Sequence, residues 1–204
     1  MKTSAVLQNS CWLVSLLAIV LNLTTPSPSR AGEVEDSAAQ FARRYIDRLK
    51  SGEGAAAFSE MWDMETILSN VFGLMYLDLS PEEKTNTQHA LEEFFKVPFA
   101  NAKAAQAMSS LNLVDAKASL FSTSTAIVTL TIGGKPGQPI SSTLLLSKAG
   151  KAWKILDQRM GNTPSMRAGL ALMWAQGQRP GQNNSIANIL NKATEIMRQR
   201  METP

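Results

Sequence analysis

The sequence predicts an α+β domain in which a curved antiparallel sheet of about four strands packs on helices. Three observations lead to this fold class. Residues 36–108 show the helical spacing of apolar residues, residues 111–159 show alternating strand patterns separated by short turns, and two more helical patterns follow. Because strands joined by tight turns pair antiparallel and present one apolar face, we expect the helices to cover that face.

The N-terminus has the features of a secretory signal peptide. Lys2 precedes an uncharged apolar stretch over residues 12–23, and small residues follow at Ser29 and Ala31. The stretch is too short to span a bilayer, which takes roughly 20 apolar residues. We therefore expect residues 1–31 to be cleaved and residues 32–204 to form a single α+β ligand-binding domain. The domain is expected to be exported, with the bacterial periplasm as the favoured compartment.

Charge and cysteine content narrow the function classes. The chain has 20 basic and 17 acidic residues, a net charge of +3. Removal of the leader takes away Lys2 and Arg30 but no acid, so the mature chain is nearly neutral and a nucleic-acid partner is not expected. The only cysteine, Cys11, also lies in the leader. The mature chain therefore has no disulfide and no thiolate ligand, and its core must hold it together.

The first helix is expected to open at Asp36 or Ser37, where Ser37 and Gln40 have the spacing of a capping box. Apolar residues then recur at helical spacing until a stop at residues 50–52. A short helical segment over residues 55–61 follows.

The next two helices have clearer start signals. Asp63 is expected to cap a helix that ends at Gly73. Residues 80–83, Ser-Pro-Glu-Glu, combine a capping serine, a proline at the first helical position and a glutamate that closes the box. Pro98 lacks an amide proton and is expected to kink or break this helix, which then continues to about Met108.

The sheet follows as four alternating runs. The strands are expected over residues 111–120, 125–132, 140–147 and 152–159, with turns at 133–137 and 149–151. One helix is expected after Ser165 and another from about Ser185, with a glycine-rich loop over 177–182 between them. The consecutive strands predict an antiparallel meander.

Residue types that catalysis or metal binding needs are scarce. His89 is the only histidine, and a lone helical histidine is more often a surface or core residue than a catalytic one. Without a second histidine or a cysteine in the mature chain, neither a zinc site nor a histidine-assisted nucleophile is expected. The glycines at 133–134 lie in a hairpin, and no phosphate-binding or dinucleotide motif occurs. We therefore expect no enzyme activity, no cofactor and no metal.

Asp157 is the one acid embedded in a strand. It shares strand parity with Trp153 and Ile155, so all three are expected to project to one face. On a concave apolar face Asp157 would be a candidate general base with a raised pKa. The favoured alternative is that it pairs with Arg159 or with a backbone amide.

The remaining feature is apolar and adaptable. The chain has ten methionines, a residue type that fills irregular gaps and accepts variable apolar partners. Aromatic residues accompany them at Trp62, Phe72, Tyr76, Phe94, Phe95 and Phe99. The segment 166–175 is apolar nearly all round, so it must be buried, cover a cavity or meet a partner. A methionine-rich core and a ligand pocket both fit these residues.

The predicted fold narrows the architecture more than the function. A curved antiparallel sheet wrapped on a long helix is the cone of the nuclear transport factor 2-like superfold. That superfold carries enzymes, lipid carriers and interaction modules, so the fold does not decide between them.

Two stretches resemble the MlaC/toluene-tolerance family of exported phospholipid carriers. The first is an Asp-started helix, an aromatic residue after its end and a Ser-Pro-Glu helix start, carried by Asp63, Ile67, Val71-Phe72-Gly73, Tyr76 and Leu79-Ser80-Pro81-Glu82-Glu83-Lys84, with Phe94-Phe95 beyond. The second is Gly150-Lys151-Ala152-Trp153-Lys154-Ile155-Leu156-Asp157, which is similar to the family's Gly-x-Trp-Lys-Val-x-Asp strand. With the closing helices the resemblance covers roughly residues 60–197. It implies an MlaC-like cone and membrane-embedded transporter components as partners.

The leading hypothesis is an exported carrier that binds a phospholipid or another apolar ligand between sheet and helices, in lipid transport between membranes. Each buried methylene contributes about 0.8 kcal/mol, so a mostly apolar cavity suffices. The expected wall residues are Ile67, Val71, Phe72, Tyr76, Phe95, Phe99, Val128, Leu130, Leu144, Leu146, Trp153 and Ile155. The alternative is a nuclear transport factor 2-like interaction or structural module with a filled core and no ligand, which dimerises through its sheet or through the segment 166–175.

Overall fold

The computed structural model describes residues 28–133, 139–178 and 184–202. In these ranges it has eight helices and four strands, with the strands in one antiparallel sheet. The α+β class and the order helices, sheet, helices are thus confirmed. Most of the expected leader, much of the expected turn at 133–137 and much of the loop at 177–182 lie outside the described residues.

Between residues 28 and 109 the chain forms a series of helices. Its elements are α1 (Pro28–Lys50), α2 (Gly54–Met61), α3 (Met64–Phe72), α4 (Leu74–Leu77), α5 (Pro81–Ala100) and α6 (Ala102–Ser109). The expected start of the first helix at Asp36 or Ser37 is wrong, because α1 already begins at Pro28. Ser37 therefore lies inside α1, where its hydroxyl accepts a hydrogen bond from Trp153 Nε1 at 3.2 Å. The sequence Ser-x-x-Gln fits a helix cap, but the Ser37 hydroxyl instead forms a hydrogen bond with a side chain of the sheet.

The predicted start of α5 is confirmed, but the predicted break at Pro98 is not. The Ser80 hydroxyl accepts from the Glu83 amide, and the Glu83 carboxylate accepts from the Ser80 amide, which completes the capping box. Pro98 lies inside α5 without ending it. The break comes at Asn101, whose extended backbone ends α5 and whose side chain caps α6 through Ala104 N. Pro98 cannot donate to the carbonyl of residue 94, but α5 loses only this one hydrogen bond and still continues to Ala100.

The sheet is a meander in the order β1-β2-β3-β4, as expected. Its strands are β1 (Asn112–Ser122), β2 (Thr125–Gly133), β3 (Ile140–Ala149) and β4 (Ala152–Met160). Burial alternates along β2 and β3, so one face is apolar and covered while the other meets solvent. Val128 of β2 pairs with Leu144 of β3 on the covered face.

A bulge in β4 overturns the expected placement of Asp157. Leu146 pairs with Ile155, yet the preceding Leu145 pairs with Asp157, so Leu156 is an extra residue. A bulge of this kind reverses which face the later residues meet. Ile155 lies on the covered face, whereas Asp157 lies on the opposite face and Gln158 takes the inner position across from Leu144.

The core lies between the covered face and the helices. α1 packs along β1 and β2, and α3 reaches β4. The chain closes with α7 (Met166–Gly177) and α8 (Ile186–Glu202), and α8 packs on α5. Leu170 of α7 is buried, and Met166, Met173 and Trp174 are partly buried against the core, so one side of the segment 166–175 is covered and the rest is exposed. Within the described residues no helix is long and apolar enough to cross a membrane.

Candidate functional site

Most of the expected wall residues form a packed core. The following are buried: Ile67, Phe72, Tyr76, Val128, Leu130, Leu144, Leu146, Trp153 and Ile155. Val71 is half-buried and packs against the same cluster. Val128 and Leu144, paired across the strands, are both 0% exposed. The structure thus brings these side chains together as a filled interior, and their binding of a ligand stays a prediction.

Two of the expected residues, Phe95 and Phe99, line a surface cleft at one end of the sheet. The cleft has a volume of about 380 Å³ and opens between the helices and the segment that leaves β4. We call it the aromatic groove. It is lined by Tyr45, Phe58, Trp62, Phe95, Pro98, Phe99, Gln158, Met160, Thr163, Pro164 and Met166. Among the described residues none of those that line it carries a charge.

Helical spacing builds the aromatic wall. Phe58 of α2 and Trp62, which follows that helix, are four residues apart, as are Phe95 and Phe99 of α5, so each pair lies on one side of its helix. Phe58 stacks on Phe95 with ring centroids 4.4 Å apart and on Trp62 at 4.7 Å. Tyr45 of α1 meets the Trp62 ring edge-on at 6.2 Å. Three helices therefore contribute rings to one continuous surface.

Gly54 lets the Phe99 ring lie against the backbone of α2. A Cβ built on Gly54 would stand well inside 3.0 Å of two Phe99 ring atoms, closer than real Cβ atoms approach, and 3.0 Å from a third. Gly54 is itself buried at the first position of α2. The absence of a side chain there sets the position of one wall of the groove.

A short polar chain runs from the groove into the sheet. The Tyr45 hydroxyl donates to Gln158 Oε1 at 3.3 Å, and Gln158 Nε2 donates to the Ser142 hydroxyl at 3.2 Å. Burial raises the pKa of Tyr45, so this hydroxyl stays neutral across the physiological range. Trp62 Nε1 is buried and has no hydrogen-bond partner in the described structure.

Sequence reasoning did not assign Tyr45, Phe58 or Trp62 to the site. Tyr45 belongs to the apolar face expected for the first helix, and Trp62 is one of the aromatic residues noted in the sequence. Their residue types therefore fit an apolar site but do not indicate its location. Their meeting depends on how α1, α2 and α5 pack. Gln158 enters the site only because the bulge at Leu156 turns it inward.

The candidate acid and the lone histidine have other surroundings. Asp157 Oδ1 accepts from the Gln158 amide at 2.9 Å and from the Arg167 amide at 3.0 Å, so it holds the start of α7 against β4. The expected pairing with a backbone amide is confirmed. His89 is exposed on α5. In the described ranges no three His, Cys, Asp or Glu side chains gather closely enough to hold a metal ion.

Three other clefts, of about 270–380 Å³, lie between helices. The cleft at the C-terminal ends of α5 and α8 contains Lys96 and Arg198, each 3.4 Å from a Glu93 carboxylate oxygen. Lys96 also lies 3.5 Å from Glu92, so two carboxylates compensate the two cations. His89 lines another, together with several asparagines near the start of α8. The aromatic groove is the one of the four that lies beside the inner face of the sheet.

Comparison with known proteins identifies a shared fold. No protein-family model matches the chain, and a search of curated proteins found no significant relative. Among solved structures, a phospholipid-binding protein from Ralstonia solanacearum, determined in complex with a phospholipid, matches with a TM-score of 0.56. The match covers 82% of this chain and 98% of that one at 10% sequence identity. The TM-score and the coverage show a common fold, and at this low identity the match shows the fold alone.

Proposed function

We propose that the protein is an exported, non-enzymatic carrier that binds a phospholipid or a similar apolar ligand and works in lipid transport between membranes, as in the MlaC/toluene-tolerance family. One observation carries the proposal. A chain with the fold of a phospholipid-binding protein has an uncharged aromatic groove at the end of its sheet, next to the core. Membrane-embedded transporter components would be its further partners.

The groove has the physical properties that an acyl chain needs. Its volume of about 380 Å³ lies at the lower end of the range for small-molecule sites, and its walls are mainly aromatic rings and methionines. Each methylene taken out of water contributes about 0.8 kcal/mol, so several methylenes bind without a dedicated polar partner. Met160 and Met166 supply flexible side chains that adapt to different chains.

The groove also explains how the filled core is compatible with a carrier. Side chains such as Leu144 and Ile155 belong to one buried cluster and are 0% exposed, so a long acyl chain extends into the interior only by displacing them. The groove lies outside this core, and a chain can occupy it first. Gln158 belongs both to the groove and to the inner face, which makes it the point of passage.

The same filled core favours the second candidate, a nuclear transport factor 2-like interaction module without a ligand. Apolar side chains on two surface helices would then be its contact surface. Leu74, Met75 and Leu77 of α4 are 72%, 50% and 51% exposed, and Leu172 of α7 is 55% exposed. Exposed apolar groups of this size are typical of docking surfaces as well as of isolated surface residues.

The test is solvent extraction of the purified mature protein followed by mass spectrometry. We expect phospholipid in the extract of the wild type and less in that of Met160→Trp, whose ring fills the groove. Ile140→Trp is the matched control. Ile140 is 46% exposed at a strand end, close to the 43% exposure of Met160, but it does not line the groove.

The contrary result would separate the two candidates. No phospholipid in any extract, even after incubation with phospholipid liposomes, would refute the carrier. A wild-type dimer that Leu172→Glu dissociates would then favour the interaction module.

A further inference from the structure

Trp62 carries a buried hydrogen-bond donor that the fold leaves unused. The residue is 4% exposed, and its Nε1 makes no hydrogen bond to any described residue. Buried N–H groups are nearly always paired, so an exception calls for a physical explanation. The other buried tryptophan, Trp153, follows the rule, since its Nε1 donates to Ser37.

The Trp62 ring is held in place and cannot turn to find a partner. Its backbone forms a parallel bridge with Ile155, and the next amide, Asp63 N, donates to Ile155 O at 3.0 Å. The ring stacks on Phe58 and meets Tyr45 edge-on. The donor is therefore fixed in direction before any ligand arrives, which lowers the entropic cost of using it.

The neighbouring polar groups do not take up this donor. The nearest polar neighbour is the Tyr45 hydroxyl, which gives its own proton to Gln158 Oε1 and keeps lone pairs on its oxygen. Burial raises the pKa of Tyr45, and the nearby Trp62 N–H lowers it by less, but the contact between this N–H and the Tyr45 oxygen does not have the geometry of a hydrogen bond. The N–H is also closed off from water, so an acceptor reaches it only when groove side chains move aside for an entering chain.

The lining of the groove selects the kind of acceptor. Of the described residues that line it, none is charged. A carboxylate or a phosphate would lose its hydration there without a counter-ion, which is strongly unfavourable. The carbonyl oxygen of an ester is an uncharged acceptor attached directly to an acyl chain, and it fits both the donor and the apolar walls.

We propose that Trp62 Nε1 donates a hydrogen bond to the ester carbonyl oxygen of a bound acyl chain. The groove then prefers ester-linked chains to ether-linked chains and to free fatty acids. This inference rests on the proposed function and names the chemical group that the site recognises. Trp62 is a binding residue in this account, and it takes part in no reaction.

The test compares two lipids on the wild-type protein. Liposomes of dioleoylphosphatidylcholine and of its diether counterpart differ at the linkage, since the diether has no carbonyl. A neutral hydrogen bond to a buried donor corresponds to roughly a 2- to 10-fold difference in affinity, so we expect the ester lipid to bind that much more tightly. Trp62→Phe keeps an aromatic ring and removes the N–H, and it should bring the ester lipid down to the affinity of the ether.

Trp174→Phe is the control for lipid preference, because Trp174 of α7 belongs neither to the groove nor to the expected wall, and it should keep the preference for the ester. Trp153→Phe removes the same atoms from a buried tryptophan outside the groove. Thermal unfolding adds a readout without ligand: Trp153→Phe should lower the melting temperature more than Trp62→Phe does, since only Trp153 loses a hydrogen bond within the fold.

Each contrary result has a distinct meaning. Equal affinity of the wild type for both lipids, or a preference that survives Trp62→Phe, would overturn the inference and leave the carrier standing. Binding of neither lipid by the wild type would overturn the proposed function and the inference with it. An equal fall in melting temperature for both variants would show that the Trp62 N–H has a partner within the protein, and would overturn the inference.

Discussion

Gly54→Ala tests whether the Phe99 wall of the aromatic groove lies where the structure has it. In a helix this substitution normally stabilises a protein by about 0.4–1 kcal/mol, because alanine has less backbone freedom to lose. At Gly54 the new methyl group would collide with the Phe99 ring, which packs directly on the backbone of α2. Overpacking of this kind typically costs about 1–3 kcal/mol. The clash therefore outweighs the helix gain, and we expect a net loss of about 0.5–2 kcal/mol.

The assay is thermal unfolding of the mature protein combined with lipid extraction. For a domain of this size each kcal/mol corresponds to about 2–4 °C, so Gly54→Ala should lower the melting temperature by roughly 1–8 °C. If the Phe99 ring swings away instead, it enters the groove, and the loss appears as reduced lipid loading. Gly169→Ala is the control, since Gly169 lies inside α7 with no atom within 4 Å of a built Cβ. It should raise the melting temperature by about 1–4 °C.

A single pattern of results would refute this reasoning. If Gly54→Ala raised the melting temperature as Gly169→Ala does and left lipid loading unchanged, Phe99 would not rest on α2. The groove would then lack the wall on which the proposed function depends.

Three further predictions concern the core, the acid and the N-terminus. Val128→Trp and Leu144→Trp should each lower the melting temperature by several degrees, because both side chains are fully buried against each other; an unchanged melting temperature with reduced lipid loading would instead show a preformed cavity. Asp157→Asn should cost at most about 1 kcal/mol in a urea titration, since its contacts are to the start of α7 at Arg167, and it should leave lipid binding intact; loss of function in the folded variant would argue for catalysis. N-terminal sequencing of the secreted protein should begin at or within a few residues of Gly32, and retention of Met1 would contradict export.

The strands were predictable because alternation is a local signal. All four were expected within a few residues of their observed bounds, and the meander follows from the short connections between them. The face of Asp157 was not predictable. Ile155, Leu156 and Asp157 read as ordinary alternation, and nothing local marks Leu156 as an extra residue. A bulge depends on the partner strand, so strand parity alone predicts the inner face for Asp157 whereas the structure places it on the outer face.

The groove was partly predictable for the same reason. Phe95 and Phe99 belong to one helix, and their shared side follows from helical spacing. Tyr45, Phe58 and Trp62 join them only through packing of α1 and α2 against α5, which no local pattern specifies. The unpaired state of Trp62 Nε1 is equally non-local, because it depends on where every neighbouring acceptor lies.

The most direct test of the central claim is quenching of tryptophan fluorescence by a phosphatidylcholine brominated on its acyl chains. Bromine quenches tryptophans that it approaches closely, and Trp62 lines the groove whereas Trp174 of α7 does not. We predict that the bound lipid quenches the mature protein, that Trp62→Phe removes most of the quenchable emission and that Trp174→Phe leaves it in place. Bound brominated lipid whose quenching is unaffected by Trp62→Phe would contradict the assignment of the aromatic groove as the lipid site.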